Sequence, residues 1–325
     1  EPTLALLEQA MGEGVIRRVS LPVLQRMISA SIEDFLADRT LDAQGISYTD
    51  ALDEMISIFT GGVVGTMRYS LCNHWEFTEQ WSDAFCRGEP VGCRPVRLPH
   101  TCRELPLHYA DPSDYEMVCG YRRTLTVPDA PRVFLRFDGA AHQAEIYLNG
   151  QLAGQHQGGY TGFTIEITDL VHRGKENLLA VRLDTREDPS LPPFGFVIDY
   201  LTYGGLYREV WLETSPQSRV SDLFVYTPTL TEAAVQLTVE ATEKAAALRV
   251  RLCSSAGKTL VSRQLPPAES AECRLTLPDA APWDTEHPNL YRCIAELLDA
   301  EGQVLHSRET TFGFRTAVFR ADGFT

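Results

Sequence analysis

Two different hydrophobic patterns divide the chain near Met67. Before this residue, apolar side chains recur three and four positions apart, which is the spacing of one face of an α-helix. They are Leu21, Leu24, Ile28, Ile32 and Phe35, followed by Leu52, Met55, Ile56 and Phe59. The pattern predicts a short α-helical segment at residues 1–66, too small to bury both faces of its helices without further contacts.

After Met67 the pattern changes to short segments in which apolar and polar residues alternate, separated by turn residues. Residues 120–128 form one such segment. Another, 144–150, ends in Asn149-Gly150, a pair that favours a tight hairpin turn. Short, evenly spaced strands with no helix between them are typical of a β-sandwich. We therefore predict a jelly-roll domain at residues 67–216.

A second series of alternating segments follows Pro216. It contains about seven segments, the number of strands in an immunoglobulin-like sandwich. We predict such a domain at residues 217–313. Residues 314–325 would begin a third domain. The expected fold class is mainly β, a jelly roll followed by an immunoglobulin-like sandwich, with the helical segment in front.

The longest single motif spans residues 194–213. It opens with aromatic residues around one carboxylate, Asp199, and continues into Gly204-Gly205, where a turn can form that a side chain would obstruct. Alternation from Leu206 to Glu213 then predicts a strand. A carboxylate among aromatic rings suits a sugar, because it accepts hydrogen bonds from hydroxyls while the rings stack on C–H bonds. The residues alone favour a simpler alternative, an Asx-turn with its aromatics in the core.

Charge and composition narrow the class of function. The chain has 325 residues, 44% of them hydrophobic, and a formal net charge of −15. Nucleic acid is excluded as a partner because its backbone requires clustered Lys and Arg. No apolar run approaches the roughly 20 residues that span a bilayer, and no secretory leader opens the chain. We expect a cytoplasmic protein with no membrane partner, and a fragment of a longer one, since it starts at Glu1.

The residues that could hold a metal or a cofactor lack the necessary spacing. Eight cysteines are scattered without a C-x-x-C pair, so zinc is disfavoured and free thiols are expected. The histidines show no metal-ligand spacing, and neither H-E-x-x-H nor G-x-S-x-G occurs. We therefore expect no metal and no cofactor.

The motif D-Y-L-T-Y-G-G-L-Y-R-E-V, Asp199–Val210, resembles the signature that closes the sugar-binding domain of family 2 glycoside hydrolases, which include β-galactosidases and β-glucuronidases. Further sequence motifs resemble those of the same family. They are Trp75-x-Phe77 with Leu98-Pro99-His100-Thr101, then Trp283 with Pro288-Asn289-Leu290-Tyr291, and Phe312-Gly313-Phe314-Arg315. The family usually has Trp where this chain has Cys102. Residues 1–66 resemble the C-terminal helices of a TetR-type regulator, which implies a segment fused from an upstream reading frame; a generic helical cap is the alternative.

The resemblance implies the front part of a retaining glycosidase. Residues 314–325 would start its catalytic TIM barrel, whose two catalytic glutamates would lie beyond residue 325. No catalytic residue is therefore nominated. Asp199 is carried over as the contact to the hydroxyls of the terminal sugar, and Tyr200 and Tyr203 are its neighbours, more simply explained by packing. The implied partners are a carbohydrate substrate, the protein's own catalytic barrel and, in the full enzyme, identical subunits.

Three functions remain open. The first is the non-catalytic part of a family 2 glycosidase that acts on a β-galactoside, with β-glucuronidase-type specificity as its variant. The second is a standalone carbohydrate-binding module, disfavoured by the motif at 312–324 that resembles the entry into a barrel. The third is a regulator with an effector domain, disfavoured by the acidic charge and the lack of a helix-turn-helix.

Overall fold

The computed structural model describes residues 66–104, 111–192, 204–317, 319–321 and 323–324. The helical segment predicted at 1–66 therefore lies outside the described residues, apart from Thr66. Residues 67–215 belong to one compact unit and residues from 216 onward to a second.

Ten strands form the first unit within its described residues. They are β1 (Met67–Ser70), β2 (Trp75–Thr78), β3 (Arg94–Val96), β4 (Val118–Thr126), β5 (Arg132–Phe137), β6 (Gln143–Leu148), β7 (Gln151–Gln157), β8 (Phe163–Glu166), β9 (Glu176–Asp184) and β10 (Val210–Ser215). A short helix, α1 (Asp83–Cys86), and a 3-10 helix at Pro112–Tyr115 lie between them.

These strands form two antiparallel sheets with one shared core. The four-stranded sheet has the order β1-β10-β5-β8, and the six-stranded sheet has the order β3-β2-β4-β9-β6-β7. The core between them is continuous and contains Trp75, Phe77, Tyr121, Leu135 and Phe137, all almost fully buried. The expected sandwich is therefore present.

Strand β6 shows why the alternating pattern produces this arrangement. Ala144, Ile146 and Leu148 point into the core and are buried, whereas Gln143, Glu145 and Tyr147 are half-buried on the other side. Successive side chains of a strand point to opposite faces of the sheet. Burial of the apolar set stabilises the fold by about 25 cal/mol per Å² of apolar surface removed from water. We call the side that carries Glu145 the outer face of the six-stranded sheet.

Helix α1 packs on that outer face. The hydroxyl of Ser82 accepts a hydrogen bond from the Phe85 N–H at 3.2 Å and caps the helix. Phe85 is buried, and the Arg122 guanidinium lies 4.5 Å from the centre of its ring. Gly120 of β4 leaves the space for this contact, since a Cβ there would lie 2.9 Å from Phe85 Cε1.

The strand predicted from Leu206 begins four residues later, because β10 starts at Val210. Leu206 is buried as the pattern predicts. However, its carbonyl oxygen accepts a hydrogen bond from the His100 N–H in a loop, not from a neighbouring strand. Alternation correctly predicted the burial of Leu206, Val210 and Leu212, but Arg208 of the same set is exposed and Glu213 of the other set is buried.

Seven strands make up the main part of the second unit. They are β11 (Arg219–Thr229), β12 (Glu232–Glu240), β13 (Ala247–Ser254), β14 (Thr259–Leu265), β15 (Ser270–Thr276), β16 (Tyr291–Leu298) and β17 (Val304–Phe312). Their sheets have the orders β11-β12-β15 and β14-β13-β16-β17, and they enclose one core. The predicted mainly β fold is thus confirmed. A two-stranded pair, β18 (Phe319–Arg320) and β19 (Gly323–Phe324), follows, and its assignment to a barrel stays a prediction, as do the domain boundaries.

Candidate functional site

The turn Gly204-Gly205, here called the glycine turn, is fixed by backbone bonds to Ala141. The Gly205 N–H donates to the Ala141 carbonyl oxygen at 3.1 Å, and the Ala141 N–H donates to the Gly205 carbonyl oxygen at 3.1 Å. A Cβ on Gly205 would lie 2.3 Å from the His100 carbonyl oxygen, and φ of Gly205 is +145°. A Cβ on Gly204 would lie 2.1 Å from Thr185 Cγ2. Glycine is therefore required at both positions.

A second loop holds the turn from the other side. The Cys102 N–H donates to the Gly204 carbonyl oxygen at 3.0 Å, and the His100 N–H donates to the Leu206 carbonyl oxygen at 2.8 Å. His100 is itself positioned by a bond of 2.8 Å between its Nδ1 and the Tyr121 hydroxyl. Two motifs that are distant in the sequence, L-P-H-T and D-Y-L-T-Y-G-G, thus meet at the glycine turn.

Thr185, Cys102 and Cys119 lie beneath the glycine turn, and we call them its floor. The Thr185 hydroxyl donates to the Tyr115 carbonyl oxygen at 2.6 Å and accepts from the Met117 N–H at 3.0 Å. Cys102 and Cys119 are both fully buried. A hydrogen bond between the two thiols, with Cys119 as the donor, and burial raise the pKa of the Cys119 thiol well above its usual value. The Cys119 thiol therefore stays protonated, whereas the same hydrogen bond lowers the pKa of the Cys102 thiol.

The rim beside the turn carries aromatic rings and a cation. The Tyr207 hydroxyl donates to the Gly159 carbonyl oxygen at 2.5 Å, and the Arg208 guanidinium lies 5.8 Å from the centre of the Tyr207 ring. Tyr160 meets Tyr207 edge to face and is 53% exposed. Exposed rings next to a rigid turn can stack on a ligand, but these groups include no acid or nucleophile for bond cleavage.

Asp199, the predicted sugar contact, lies outside the described residues, as do Tyr200 and Tyr203. Its role stays a prediction. What the structure describes is the anchor at the end of its loop, the glycine turn. Sequence reasoning missed Ala141 and His100 as parts of that anchor. The L-P-H-T motif was a signal for His100, whereas nothing in the sequence pattern marked Ala141.

Other candidates for chemistry have structural roles. His156 Nε2 lies within hydrogen-bond distance of the Gly158 carbonyl oxygen and the Thr161 hydroxyl, at 3.1 and 3.0 Å. In the ranges that the structure describes, no three His, Cys, Asp or Glu side chains are grouped as metal ligands would be. No helix in the same ranges is long and apolar enough to cross a membrane.

Two family profiles match the chain along most of the described β structure. Residues 97–216 match the sugar-binding domain of the glycosyl hydrolases of family 2. Residues 218–315 match a second profile, described as glycosyl hydrolases family 2. Together the two matches cover well over half of the chain.

The curated proteins to which the chain is similar include β-galactosidases and β-glucuronidases. The β-galactosidases of Thermoanaerobacter pseudethanolicus and Thermoanaerobacterium thermosulfurigenes are 30% and 31% identical over 70% and 78% of this chain. A putative β-glucuronidase of Formosa agariphila is 32% identical over 70% of the chain. The matches cover 32%, 37% and 28% of these relatives, so the chain spans about a third of their length.

Solved structures share the fold. The Bifidobacterium dentium β-glucuronidase complexed with coumarin-3-O-glucuronide aligns with a TM-score of 0.71 and 23% identity, over 80% of this chain and 50% of its own. A calcium-binding mutant of Bacteroides uniformis β-glucuronidase 2 aligns with a TM-score of 0.67 and 26% identity, over 80% and 34%. The resemblance first noted in the D-Y-L-T-Y-G-G motif is confirmed, and the chain belongs to family 2 of the glycosyl hydrolases.

Proposed function

We propose that the chain is the non-catalytic N-terminal part of a glycosidase that hydrolyses terminal β-galactosides with retention. The observation that carries the proposal is the match to two β-galactosidases, each about three times as long as the matched region. Among the described residues of the site, the side chains around the glycine turn offer hydrogen-bond donors and aromatic faces. None of the side chains named above around the turn is a carboxylate, whereas a retaining glycosidase requires two, about 5–5.5 Å apart.

In this proposal Asp199 contacts the hydroxyls of the terminal sugar, and the glycine turn fixes the loop that carries it. A carboxylate that accepts a hydrogen bond from a hydroxyl gains about 1.5–3 kcal/mol, but only if its position is defined before the sugar arrives. The four backbone bonds that Gly204, Gly205 and Leu206 make to Ala141, His100 and Cys102 support that requirement. The glutamates that cleave the bond would come from a barrel outside this chain, and no cofactor takes part.

Two alternatives have support of their own. β-Glucuronidase-type specificity is favoured by the Formosa agariphila relative and by a Bacteroides fragilis β-glucuronidase that is 36% identical over 46% of this chain. A standalone carbohydrate-binding module would need no barrel at all. We propose the galactoside because the Thermoanaerobacterium thermosulfurigenes β-galactosidase matches 78% of the chain, compared with 70% for the Formosa agariphila protein and 46% for the Bacteroides fragilis enzyme. A cytoplasmic location and assembly with identical subunits belong to the same proposal.

Chimaeras test the proposal and separate it from these alternatives. Residues 67–325 would replace the matching part of the Thermoanaerobacterium thermosulfurigenes β-galactosidase, and separately that of the Bacteroides fragilis β-glucuronidase. We expect hydrolysis of aryl β-galactosides by the first chimaera and little activity in the second, while the unfused chain hydrolyses neither substrate. Activity in the second only would support the glucuronidase type.

Each relative's own first part, rejoined to its remainder in the same way, is the control. If the rejoined controls are active and both folded chimaeras are inactive, the chain is not the front part of such an enzyme. Tight binding of sugars by the unfused chain in that case would favour the standalone module.

A further inference from the structure

A polar groove lies on the outer face of the six-stranded sheet, away from the core. Its volume is about 380 Å³, and the side chains that define it are Gln143 and Glu145 of β6, Gln155 and Gln157 of β7, and Arg182 of β9. Cavities of about 300–1,000 Å³ hold small ligands in other proteins. The family profile describes the whole of residues 97–216 as a sugar-binding domain, but neither it nor any relative's name places a ligand on this face.

Strand register explains why these residues meet. Glu145 lies opposite Arg182 on one side and Gln155 on the other, and Gln143 lies opposite Asp184 and Gln157. Residues opposite each other in neighbouring strands point to the same face of a sheet. The register therefore builds two adjacent polar rows across β9, β6 and β7, and these rows form the groove floor.

The centre of the floor is held in place. The Glu145 carboxylate accepts from Arg182 Nη1 at 3.2 Å and from the Tyr147 hydroxyl at 2.6 Å. Both side chains of the ion pair are about three-quarters buried, with 29% and 25% of their surface exposed. Burial and the bond to Glu145 raise the pKa of Tyr147 to about 12, so its hydroxyl keeps its proton. The carboxylate and guanidinium therefore have fixed positions.

The edge of the groove is open to a ligand. Gln155 and Gln157 are exposed, and neither side-chain amide bonds to another group in the described part of the chain. An amide offers two N–H donors and a carbonyl acceptor. A sugar hydroxyl likewise both donates and accepts, so amides beside a fixed carboxylate match a row of hydroxyls.

An aromatic platform extends the floor beyond Glu145. The Trp81 ring stacks on the Tyr147 ring, with centres 5.5 Å apart and planes 29° apart. Gly120 makes room for the indole, since a Cβ there would lie 3.0 Å from Trp81 Cε3. The Trp81 Nε1–H donates to no acceptor in the ranges that the structure describes, and half-buried rings of this kind stack on the C–H faces of sugars.

The local charge selects against anionic ligands. Glu145 lines the groove, and Asp184 and Asp188 lie next to Gln143 at its edge. The nearby cations are Arg182 and Arg186, and both pair with Asp184. The whole chain is also acidic, with a net charge of −15. A phosphate or a uronic acid would meet a net negative surface. A neutral ligand rich in hydroxyls would not.

We propose that this groove binds a short neutral oligosaccharide, independently of the loop that carries Asp199. Such a site would hold a polymeric substrate against the domain without taking part in its cleavage. The proposal goes beyond the proposed function, because it needs neither the barrel nor Asp199.

The test is isothermal titration of the full 325-residue chain with galactotetraose, cellotetraose and xylotetraose as probes. We expect at least one of them to bind. The double variant Gln155→Ala/Gln157→Ala should bind roughly five- to more than a hundredfold more weakly, since each lost amide bond contributes about 0.5–1.5 kcal/mol and about 1.4 kcal/mol is tenfold in affinity. Both residues are exposed, so the substitutions leave folding intact. Gln151→Ala, an exposed glutamine of the same strand outside the groove, is the matched control and should bind normally.

Three results would overturn the inference. The first is that none of the three probes gives a heat of binding at about 10 mM, a concentration well above the dissociation constant of a useful site. The second is that the double variant binds as well as the unsubstituted chain. The third is that Gln151→Ala loses as much affinity as the double variant. Binding that disappears in Asp199→Asn but survives in the double variant would also overturn it, because the sugar would then be bound by the Asp199 loop. None of these results bears on the chimaera experiment, so the two proposals fail separately.

Discussion

Gly205 and Ala141 exchange two backbone hydrogen bonds, each 3.1 Å long, and so join the loop before β6 to the turn before β10. The pair forms an isolated antiparallel bridge outside the named strands. Because the turn ends the loop that carries Asp199, this bridge fixes one end of the predicted sugar contact. The stability of the turn is therefore the first property to test.

Gly205→Ala should strongly destabilise the jelly-roll unit. The new Cβ would lie 2.3 Å from the His100 carbonyl oxygen, and the φ of +145° is unfavourable for alanine. The backbone conformation alone costs about 1–3 kcal/mol, and displacement of the His100 loop adds to it. Calorimetric unfolding of the variant should show a lower melting temperature for this unit.

Gly92→Ala is the matched control, because a Cβ at Gly92 would meet nothing within 4 Å. Its free energy of unfolding should stay within about 0.5 kcal/mol of that of the unsubstituted protein, so its melting temperature should hardly change. If Gly205→Ala is as stable as this control, the bridge to Ala141 is not the anchor described above.

His306 should make the stability of the immunoglobulin-like unit depend on pH. Burial, together with Arg219 and Arg308, lowers the pKa of His306 to about 4. Its Nδ1 accepts a hydrogen bond from the Val220 N–H at 3.2 Å, which requires that nitrogen to be unprotonated. An unfolded histidine titrates near pH 6.5, so the unfolded chain binds the extra proton first as the pH falls.

The contribution of His306 is thus fully present above about pH 6.5 and is lost as the pH falls to about 4, on the order of 3 kcal/mol in all. Denaturant unfolding between these pH values measures it. His306→Asn keeps an acceptor for the Val220 N–H and removes the titration, so its stability should fall less steeply. Equal slopes for the two proteins would contradict the buried neutral histidine.

Cys93 should be the only cysteine that reacts in the folded chain. The structure describes all eight cysteines; seven are buried and Cys93 is exposed. A thiol reagent such as DTNB should therefore label about one thiol per folded chain and none in Cys93→Ser, because the buried thiols are inaccessible. Labelling after denaturation should reach all eight. Rapid labelling of Cys102 or Cys119 in the native protein would mean that the floor under the glycine turn opens readily.

Alternation predicted most of the strands because burial of one sheet face imposes a period of two on the sequence. The segment 144–150 corresponds to strand β6, in which Ile146 and Leu148 are buried. In strand β4 the neighbouring Arg122 and Arg123 point to opposite faces. Arg122 pairs with Glu76 on the outer face, whereas Arg123 donates to the Leu71 carbonyl oxygen at 2.8 Å. The face on which each of these side chains lies depends only on its position within its own strand.

The parts that the pattern missed depend on which strands become neighbours. The groove exists because β9, β6 and β7 lie side by side. The hairpin turn at Asn149-Gly150 predicts that β7 pairs with β6, but nothing in the sequence pattern predicts that β9 pairs with the other edge of β6. Likewise, nothing local to Ala141 marks it as the partner of Gly205. Long-range backbone bonds of this type also explain why β10 begins at Val210, whereas the alternation begins at Leu206.

Asp199 should prove functional in the β-galactosidase chimaera. Asp199→Asn keeps the shape of the side chain and removes its charge. If it makes charge-assisted bonds to sugar hydroxyls, about 1.5–3 kcal/mol is lost, which lowers kcat/KM by roughly ten- to more than a hundredfold. The melting temperature should hardly change, since the glycine turn is anchored by backbone bonds to Ala141 and Cys102 that do not involve Asp199. Should Asp199→Asn keep full activity while Asp199→Ala only lowers the melting temperature, the residue forms an Asx-turn and the sugar contact must be sought elsewhere.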